Sequence, residues 1–342
     1  MDKAIGGARI QKWDNVKFFL ILLVVLGHTA DIYAETSAAT GILRFYIYTF
    51  HMPAFLFVSG LFSKKHIKQR QWRSISSYLI LYLFIKTLNF FVKWAINGSK
   101  PGFVLFKDAS VQWYAFCVFA FCVITIFLEK IKPSYVITVS VILACIAGYM
   151  DNIGDFLCLA RIIVFYPFFY LGYLLDPVKL NKFLNDRRLK IAGAAVLISA
   201  AVITAAAYPY IKDIKFLFTG RNPYKVFIAD APYAFVFRLI CYAVSSIMGL
   251  AFIAVVPEKI GGGLIARTGA RSVQIYALHF ALKLLWFGFV NNNFRIDGYF
   301  VSKLLIYELI VSIVIFIICA LPVWKPLFDR LLLIPGKAEN AS

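Results

Sequence analysis

The chain has 342 residues, of which 61% are hydrophobic, 17% aromatic and 15% charged. Soluble domains carry about 25% charged residues, so this composition excludes a soluble or disordered chain and indicates an integral membrane protein. Six cysteines are too few for a disulfide-rich secreted domain. Five of them lie in apolar runs without a Cys-x-x-Cys pair, so we interpret these as packing residues and predict no metal site.

Apolar stretches long enough to cross a hydrocarbon core of about 30 Å follow one another along the chain. The ten predicted spans lie near residues 16–34, 42–63, 74–96, 113–129, 135–150, 159–176, 190–210, 232–256, 273–291 and 299–322. Turn-forming or charged residues separate them, and no internal repeat is visible. The sequence therefore predicts an all-α integral membrane protein with one transmembrane domain over residues 1–342 and about ten transmembrane helices.

The 36 Lys and Arg residues outnumber 17 Asp and Glu, which gives a net charge of +19. With the N-terminus placed inside, 21 of the 36 basic residues fall on the inner side, seven fall in outer loops and eight fall within spans. Short cytoplasmic loops carry such an excess. The charge thus predicts that both termini are cytoplasmic, and we do not interpret it as a nucleic-acid-binding surface.

Three of the four histidines, His28, His51 and His279, lie within predicted spans. At a rise of about 1.5 Å per residue, all three lie at intermediate depth, where ionisable residues are costly unless they line a cavity, pair or do chemistry. A lone buried imidazole is usually hydrogen-bonded to a neighbouring helix, but three at similar depth predict a shared polar site. The fourth, His66, lies in a basic loop and is predicted to be solvated.

His28, Asp31 and Glu35 are spaced i, i+3 and i+7 and share one face of the first predicted helix. A carboxylate at Asp31 could hold the imidazole in the tautomer that a general base needs. The alternative is that both acids only mark the outer end of the span, which we favour for Glu35. Lys17, at the inner end, could hold a phosphate-bearing donor, although snorkelling explains its position equally well.

Five motifs between residues 13 and 279 carry a resemblance to a known family. They are Trp13-Asp14-Asn15-Val16-Lys17 with Leu22–His28, Phe50–Phe55 with Val58-Ser59-Gly60, Gln112-Trp113-Tyr114, Arg161 with Phe165–Phe169 and Leu171-Gly172-Tyr173, and Gly269 with Ser272, Ile275-Tyr276 and His279. In this order they resemble the membrane-bound acyltransferase 3 family, and within it the subgroup related to fucose 4-O-acetylases. Lys17 stands where many members have Arg, and the outer loops are short, which leaves acceptor recognition undefined.

The resemblance implies an O-acyltransferase of the cell membrane. Such an enzyme moves an acyl group, usually acetyl, from cytoplasmic acyl-CoA to a hydroxyl of an extracytoplasmic envelope glycan or related molecule, as in O-acetylation of a polysaccharide. It implies acyl-CoA as donor substrate, no bound cofactor, and the lipid bilayer and the glycan as partners. The sequence makes no prediction of oligomeric state. The alternative is a carrier or flippase that moves a lipid-linked or small anionic substrate through the same His-lined cavity.

The resemblance also suggests roles for individual residues. His28 is implied as the general base, and His51 or His279 would orient the donor or stabilise the oxyanion. Basic residues at the inner side could bind the phosphates of CoA; these are Lys17, Lys64, Lys65 and Arg271. Four further residues are candidates for the acceptor or oxyanion site, namely Arg161, Tyr276, Trp113 and Ser272. For Arg161 the alternatives are an ion pair with Asp155 or an interfacial position, and for the other three they are helix packing or the aromatic belt.

Overall fold

The computed structural model of the protein describes residues 10–99, 101–107, 110–228, 231–290 and 304–332. Within these ranges the chain is helical and contains no strand, apart from one isolated bridge between Lys107 and Phe156. The helices are α1 (Gln11–Ala30), α2 (Ala38–Tyr48), α3 (His51–Lys68), α4 (Trp72–Asn97), α5 (Trp113–Leu128), α6 (Pro133–Ala147), α7 (Leu159–Leu174), α8 (Pro177–Leu184), α9 (Arg187–Ile211), α10 (Lys215–Phe218), α11 (Phe235–Val255), α12 (Leu264–Gly269), α13 (Ser272–Leu285), α14 (Leu304–Ala320) and α15 (Lys325–Leu331).

In the described residues, six helical segments are long and apolar enough to cross a membrane. They are Gln11–Ala30, Ala38–Lys68, Trp72–Asn97, Arg187–Phe218, Phe235–Val255 and Ser272–Phe289. The bent pairs α7 with α8 and α14 with α15 raise the number to eight if each pair is one span. Helices α5 and α6 are apolar but have only 16 and 15 residues. The prediction of an all-helical, multi-pass protein is confirmed, whereas ten crossings and the orientation stay predictions.

The second predicted span consists of two helices, α2 and α3, with a break at Thr49 and Phe50. Pro53 has no N–H to donate to the carbonyl of Thr49 four residues earlier, so the helical hydrogen bond cannot form there. The hydroxyl of Ser245 donates to that carbonyl instead, at 2.5 Å. The break places Tyr48 and His51 next to each other at the two helix ends.

Two other predicted boundaries also differ from the structure. The first helix begins at Gln11 rather than near residue 16. The sixth predicted span, 159–176, ends two residues early as α7 at Leu174, because the chain bends by 93° into α8. Asp176 caps α8 by accepting the N–H groups of Val178 and Lys179. Several sequence features lie outside the described residues: Asn291–Asn293, the start of the tenth span, and the basic residues Lys3, Arg9, Lys100, Arg295, Lys303 and Lys337.

The turns and loops collect at two ends of the helix bundle. At one end, Trp13 Nε1 donates to the carbonyl of Pro177, and Asn15 Nδ2 donates to the carbonyls of Pro257 and Glu258. We call this the basic end, because most of the basic residues predicted to be cytoplasmic belong to its loops.

At the opposite end, the N–H of Tyr224 donates to the carbonyl of Gly148, and Lys215 pairs with Glu35 at 2.6 Å. We call this the cavity end.

Helices α3 and α7 pack at a distance that only glycine allows. A Cβ atom on Gly60 would lie 1.9 Å from the carbonyl oxygen of Phe169, and one on Gly172 would lie 2.0 Å from that of Phe57. Small residues permit such close approach between membrane helices. Both glycines belong to the motifs that carry the family resemblance, so part of that resemblance reflects helix packing rather than chemistry.

Candidate active site

A cavity of about 580 Å³ opens at the cavity end of the bundle. From the predicted spans, its lining includes His28, Asp31, Arg44, His51, Trp113, Arg161 and Lys283. The structure therefore brings five of the predicted site residues together in one polar cavity.

His28 and Asp31 lie at the end of α1 and form the centre of this site. Nδ1 of His28 is 3.4 Å from Oδ2 of Asp31. The same oxygen accepts the hydroxyl of Tyr48 at 2.7 Å, and Nη1 of Arg44 lies 3.6 Å from Oδ1. A carboxylate only accepts hydrogen bonds, so this contact favours the proton on Nδ1 and leaves a lone pair on Nε2. The His28 side chain is 21% exposed and thus accessible from the cavity.

His51 and His279 have a common hydrogen-bonding pattern that differs from that of His28. Nδ1 of His51 donates to the carbonyl of Ile47 at 2.8 Å, and Nδ1 of His279 donates to that of Tyr276 at 2.8 Å. Each neutral ring therefore presents an acceptor at Nε2. The His279 ring lies 5.4 Å from that of His28, and its Nε2 has no hydrogen-bond partner in the described part of the chain. His51 stacks on Tyr48 at 5.1 Å.

Arg161 and Trp113 form one wall of the cavity. The guanidinium of Arg161 lies 4.9 Å from the Trp113 ring, and this ring stacks on Phe165 at 5.4 Å. Asp155, the alternative partner considered for Arg161, pairs with Arg221 at 2.5 Å. The arrangement positions a buried cation over an aromatic face on the cavity that contains His28.

Neither Tyr276 nor Ser272 lines this cavity. The hydroxyl of Tyr276 donates to the carbonyl of Val111 at 2.7 Å and accepts the N–H of Ala115 at 3.3 Å. These bonds satisfy backbone groups at the start of α5. Ser272 is buried as the first residue of α13. The structure thus places Tyr276 beside the site and Ser272 away from it.

A second, narrow cavity of about 20 Å³ borders His28 on the side facing the basic end. Apart from His28, its lining consists of apolar or aromatic side chains: Ile21, Val24, Met52, Phe55, Val111, Trp113, Tyr114 and Tyr276. Val24 and Ile21 precede His28 by four and seven residues on α1, so the cavity follows one helix face toward the start of α1. His28 therefore lies between a wide polar cavity and a narrow apolar one.

The four residues predicted to bind acyl-CoA lie outside both cavities, toward the basic end. Lys17 lies 3.9 Å from Asp14 and 4.4 Å from the Phe62 ring centroid. Lys64 donates to the backbone carbonyls that end α7, and Arg271 donates to the carbonyl of Ala320 at 3.3 Å.

Lys65, the fourth of these residues, is exposed on α3. The structure separates this basic set from the histidines along the length of the bundle, and its role in donor binding stays a prediction.

Four polar cavity residues from the spans were not among the predicted site residues, namely Arg44, Tyr48, Lys93 and Lys283. Arg44 and Lys283 are ionisable residues within apolar spans, and that pattern alone was sufficient to single them out. Lys283 also follows His279 by four residues, on the same helix face.

Glu35, which we interpreted as a marker of the span end, lines the cavity mouth and pairs with Lys215 and Arg44. The hydrogen bonds from Lys215 and Arg44 lower the pKa of Glu35 to about 2. Glu35 therefore remains an anion that holds these two cations at the cavity mouth.

Comparison with known proteins identifies the family of this chain. The family model described as an acyltransferase domain, that of the acyltransferase 3 family, matches residues 10–324. No curated protein and no solved structure matches the chain. The matched range includes every cavity residue described above.

Proposed function

From the premise that this chain belongs to the acyltransferase 3 family, we propose that it transfers an acyl group, which we take to be acetyl, from acyl-CoA to a hydroxyl of an extracytoplasmic cell-envelope glycan or related molecule. The observation that carries the proposal is the position of His28. Its Nδ1 faces the carboxylate of Asp31, and its ring borders both the wide polar cavity and the narrow apolar one. We assign the enzyme to the cell membrane.

His28 acts in this proposal as the general base. Nε2 of His28 takes the proton of the acceptor hydroxyl while that oxygen forms a bond to the thioester carbonyl carbon. The tetrahedral intermediate then collapses, the carbon–sulfur bond breaks, and the proton on Nε2 passes to the departing CoA thiolate. Asp31 accepts the N–H of Nδ1 throughout and stabilises the imidazolium that forms between the two steps.

The oxyanion of the tetrahedral intermediate needs a hydrogen-bond donor. Neutral His51 and His279 each donate through Nδ1 to a backbone carbonyl and present only an acceptor at Nε2. In this proposal they therefore accept a hydrogen bond from the acceptor hydroxyl and do not stabilise the oxyanion. Arg161 presents guanidinium N–H groups on the same cavity and is the better candidate for oxyanion stabilisation.

The donor would approach His28 from the basic end. Lys17, Lys64, Lys65 and Arg271 would bind the CoA phosphates there. The pantetheine arm would follow the narrow cavity past Val24. Because that cavity has a volume of only about 20 Å³, side chains such as Met52 and Phe55 must move when the donor binds. The acceptor would enter separately through the wide cavity.

The proposal is tested with His28→Gln in the full-length protein, purified in detergent or in lipid nanodiscs. Transfer from radiolabelled acetyl-CoA to envelope glycan should fall by about 100-fold or more, since a general base contributes roughly that much. His66→Gln is the matched control, because His66 lies at the basic end and contacts Gln71.

Full activity of the His28→Gln protein would refute the role of His28 as base. A carrier or flippase would instead show no acetyl transfer in the unaltered protein, while a labelled anionic substrate still crossed the membrane.

A further inference from the structure

The wide cavity carries more positive than negative charge. Six cationic and two carboxylate side chains line it; these are Arg44, Lys93, Arg161, Lys215, Arg221 and Lys283, and Asp31 and Glu35. One further carboxylate, Asp155, pairs with Arg221 from outside the lining. The described lining therefore has an excess of positive charge.

The topology of the protein does not account for this excess. Basic residues that fix orientation belong to cytoplasmic loops, and in this chain they concentrate at the opposite, basic end. Four of the cavity cations lie in predicted spans, where a charge is costly unless it is paired or faces a polar ligand. Their convergence on one cavity therefore indicates an anionic ligand.

Lys283 is the cavity cation with the clearest need for such a ligand. Its side chain is only 8% exposed, and within the described residues no carboxylate lies within ion-pair distance of it. Asp31 acts on it electrostatically from further away. That carboxylate already contacts His28, Tyr48 and Arg44. Arg44 and Lys215, by contrast, each pair directly with Glu35.

We propose that the acceptor is anionic and that its carboxylate or phosphate is bound by Lys283, with Lys93 at the cavity mouth. The inference rests on the proposed function and specifies its substrate class. Lys283 lies one helical turn, roughly 6 Å along α13, beyond His279, and the His279 ring is 5.4 Å from that of His28. The acylated hydroxyl and the anionic group therefore belong to the same sugar or to adjacent sugars, as in a uronic acid or a sugar phosphate.

Binding of simple sugars to the full-length protein in nanodiscs tests this inference without requiring turnover. The probes are methyl glucuronide for the carboxylate, glucose 1-phosphate for the phosphate and methyl glucoside as the neutral analogue, measured by calorimetry at constant ionic strength. We expect at least one anionic probe to bind about tenfold more tightly than the neutral one, because a charge-assisted hydrogen bond is lost with the latter.

Lys283→Met should abolish this preference, and Lys283→Arg should retain part of it. Lys93→Met should weaken the preference without removing the buried cation, so it provides a second variant if Lys283→Met does not fold. Lys212→Met is the matched control, because Lys212 is exposed at the same end but does not line the cavity. It should bind all three probes as the unaltered protein does.

The outcomes separate the two proposals. Equal affinity for neutral and anionic probes, no binding of any probe, or an unchanged preference in both Lys283→Met and Lys93→Met would overturn the anionic acceptor. An anionic preference that depends on Lys283, without acetyl transfer from acetyl-CoA to any probe or to envelope glycan, would support the anion site and refute the acyltransferase function instead. The better of the two anionic probes identifies the group as carboxylate or phosphate.

Discussion

At the scale of single residues, Asp31 determines what His28 can do. The carboxylate faces Nδ1 of His28 and is itself held by Tyr48 and Arg44. An amide at position 31 could present its NH₂ group to Nδ1 and stabilise the tautomer that has no lone pair on Nε2.

We therefore expect Asp31→Asn to lower kcat for acetyl transfer by about 10-fold to 100-fold with little change in KM for acetyl-CoA. Steady-state kinetics in nanodiscs measures both constants. Asp151→Asn is the control, because Asp151 pairs with Lys225 at the same end outside the cavity. A large rise in KM with unchanged kcat would contradict a role through His28.

The sequence was sufficient to predict the His28–Asp31 contact, because residues three apart on a helix are neighbours whatever the rest of the fold does. The neighbours of Asp31 from α2 could not be predicted in the same way. Arg44 and Tyr48 reach it only because the chain reverses between Ala30 and Ala38. That geometry depends on how α1 packs against α2, and helical spacing carries no information about it.

At the scale of helices, the break between α2 and α3 shapes the site. The apolar pattern continues through Thr49 and Phe50, so hydropathy predicted one uninterrupted span over 42–63. Pro53 was visible in the sequence, but a proline near a helix start is also well tolerated. The sequence alone does not say whether a helix begins near Pro53 or runs through it. In the structure a new helix begins at His51, and the hydroxyl of Ser245, from a distant helix, donates to the carbonyl of Thr49.

Pro53→Ala should restore the missing helical hydrogen bond and favour one continuous helix. Tyr48 and His51 flank the break, so we expect them to shift relative to Asp31 and acetyl transfer to fall by about 10-fold or more. The amount of folded protein and its unfolding temperature should stay unchanged. Pro209→Ala is the control, because this proline lies inside α9, which does not line the cavity.

Thermal unfolding and acetyl transfer, measured on the same preparations, distinguish a local from a global effect of Pro53→Ala. Unaltered transfer by this variant would show that the break does not position the site.

At the scale of the whole molecule, the number of crossings depends on α5 and α6. These helices have 16 and 15 residues, which gives lengths of about 24 and 22 Å, less than the roughly 30 Å of a hydrocarbon core. Hydrogen bonds nevertheless place their ends at both ends of the bundle. The N–H of Leu157 donates to the carbonyl of Phe106 at the cavity end, and Arg70 pairs with Glu129 at the basic end.

We therefore predict that both short helices cross a locally thinned bilayer and that the basic end is cytoplasmic. Cysteines introduced as Ser134→Cys, in the first turn of α6, and Asn152→Cys, beyond its last residue, test this with a membrane-impermeant maleimide in right-side-out vesicles. Both positions are exposed, whereas the native cysteines are buried or, for Cys145, half-buried, which keeps background labelling low. Cysteine at 152 should be labelled directly and cysteine at 134 only after permeabilisation. Labelling of both from one side would show that α6 does not cross, and the reverse pattern would invert the orientation and place the wide cavity on the cytoplasmic side.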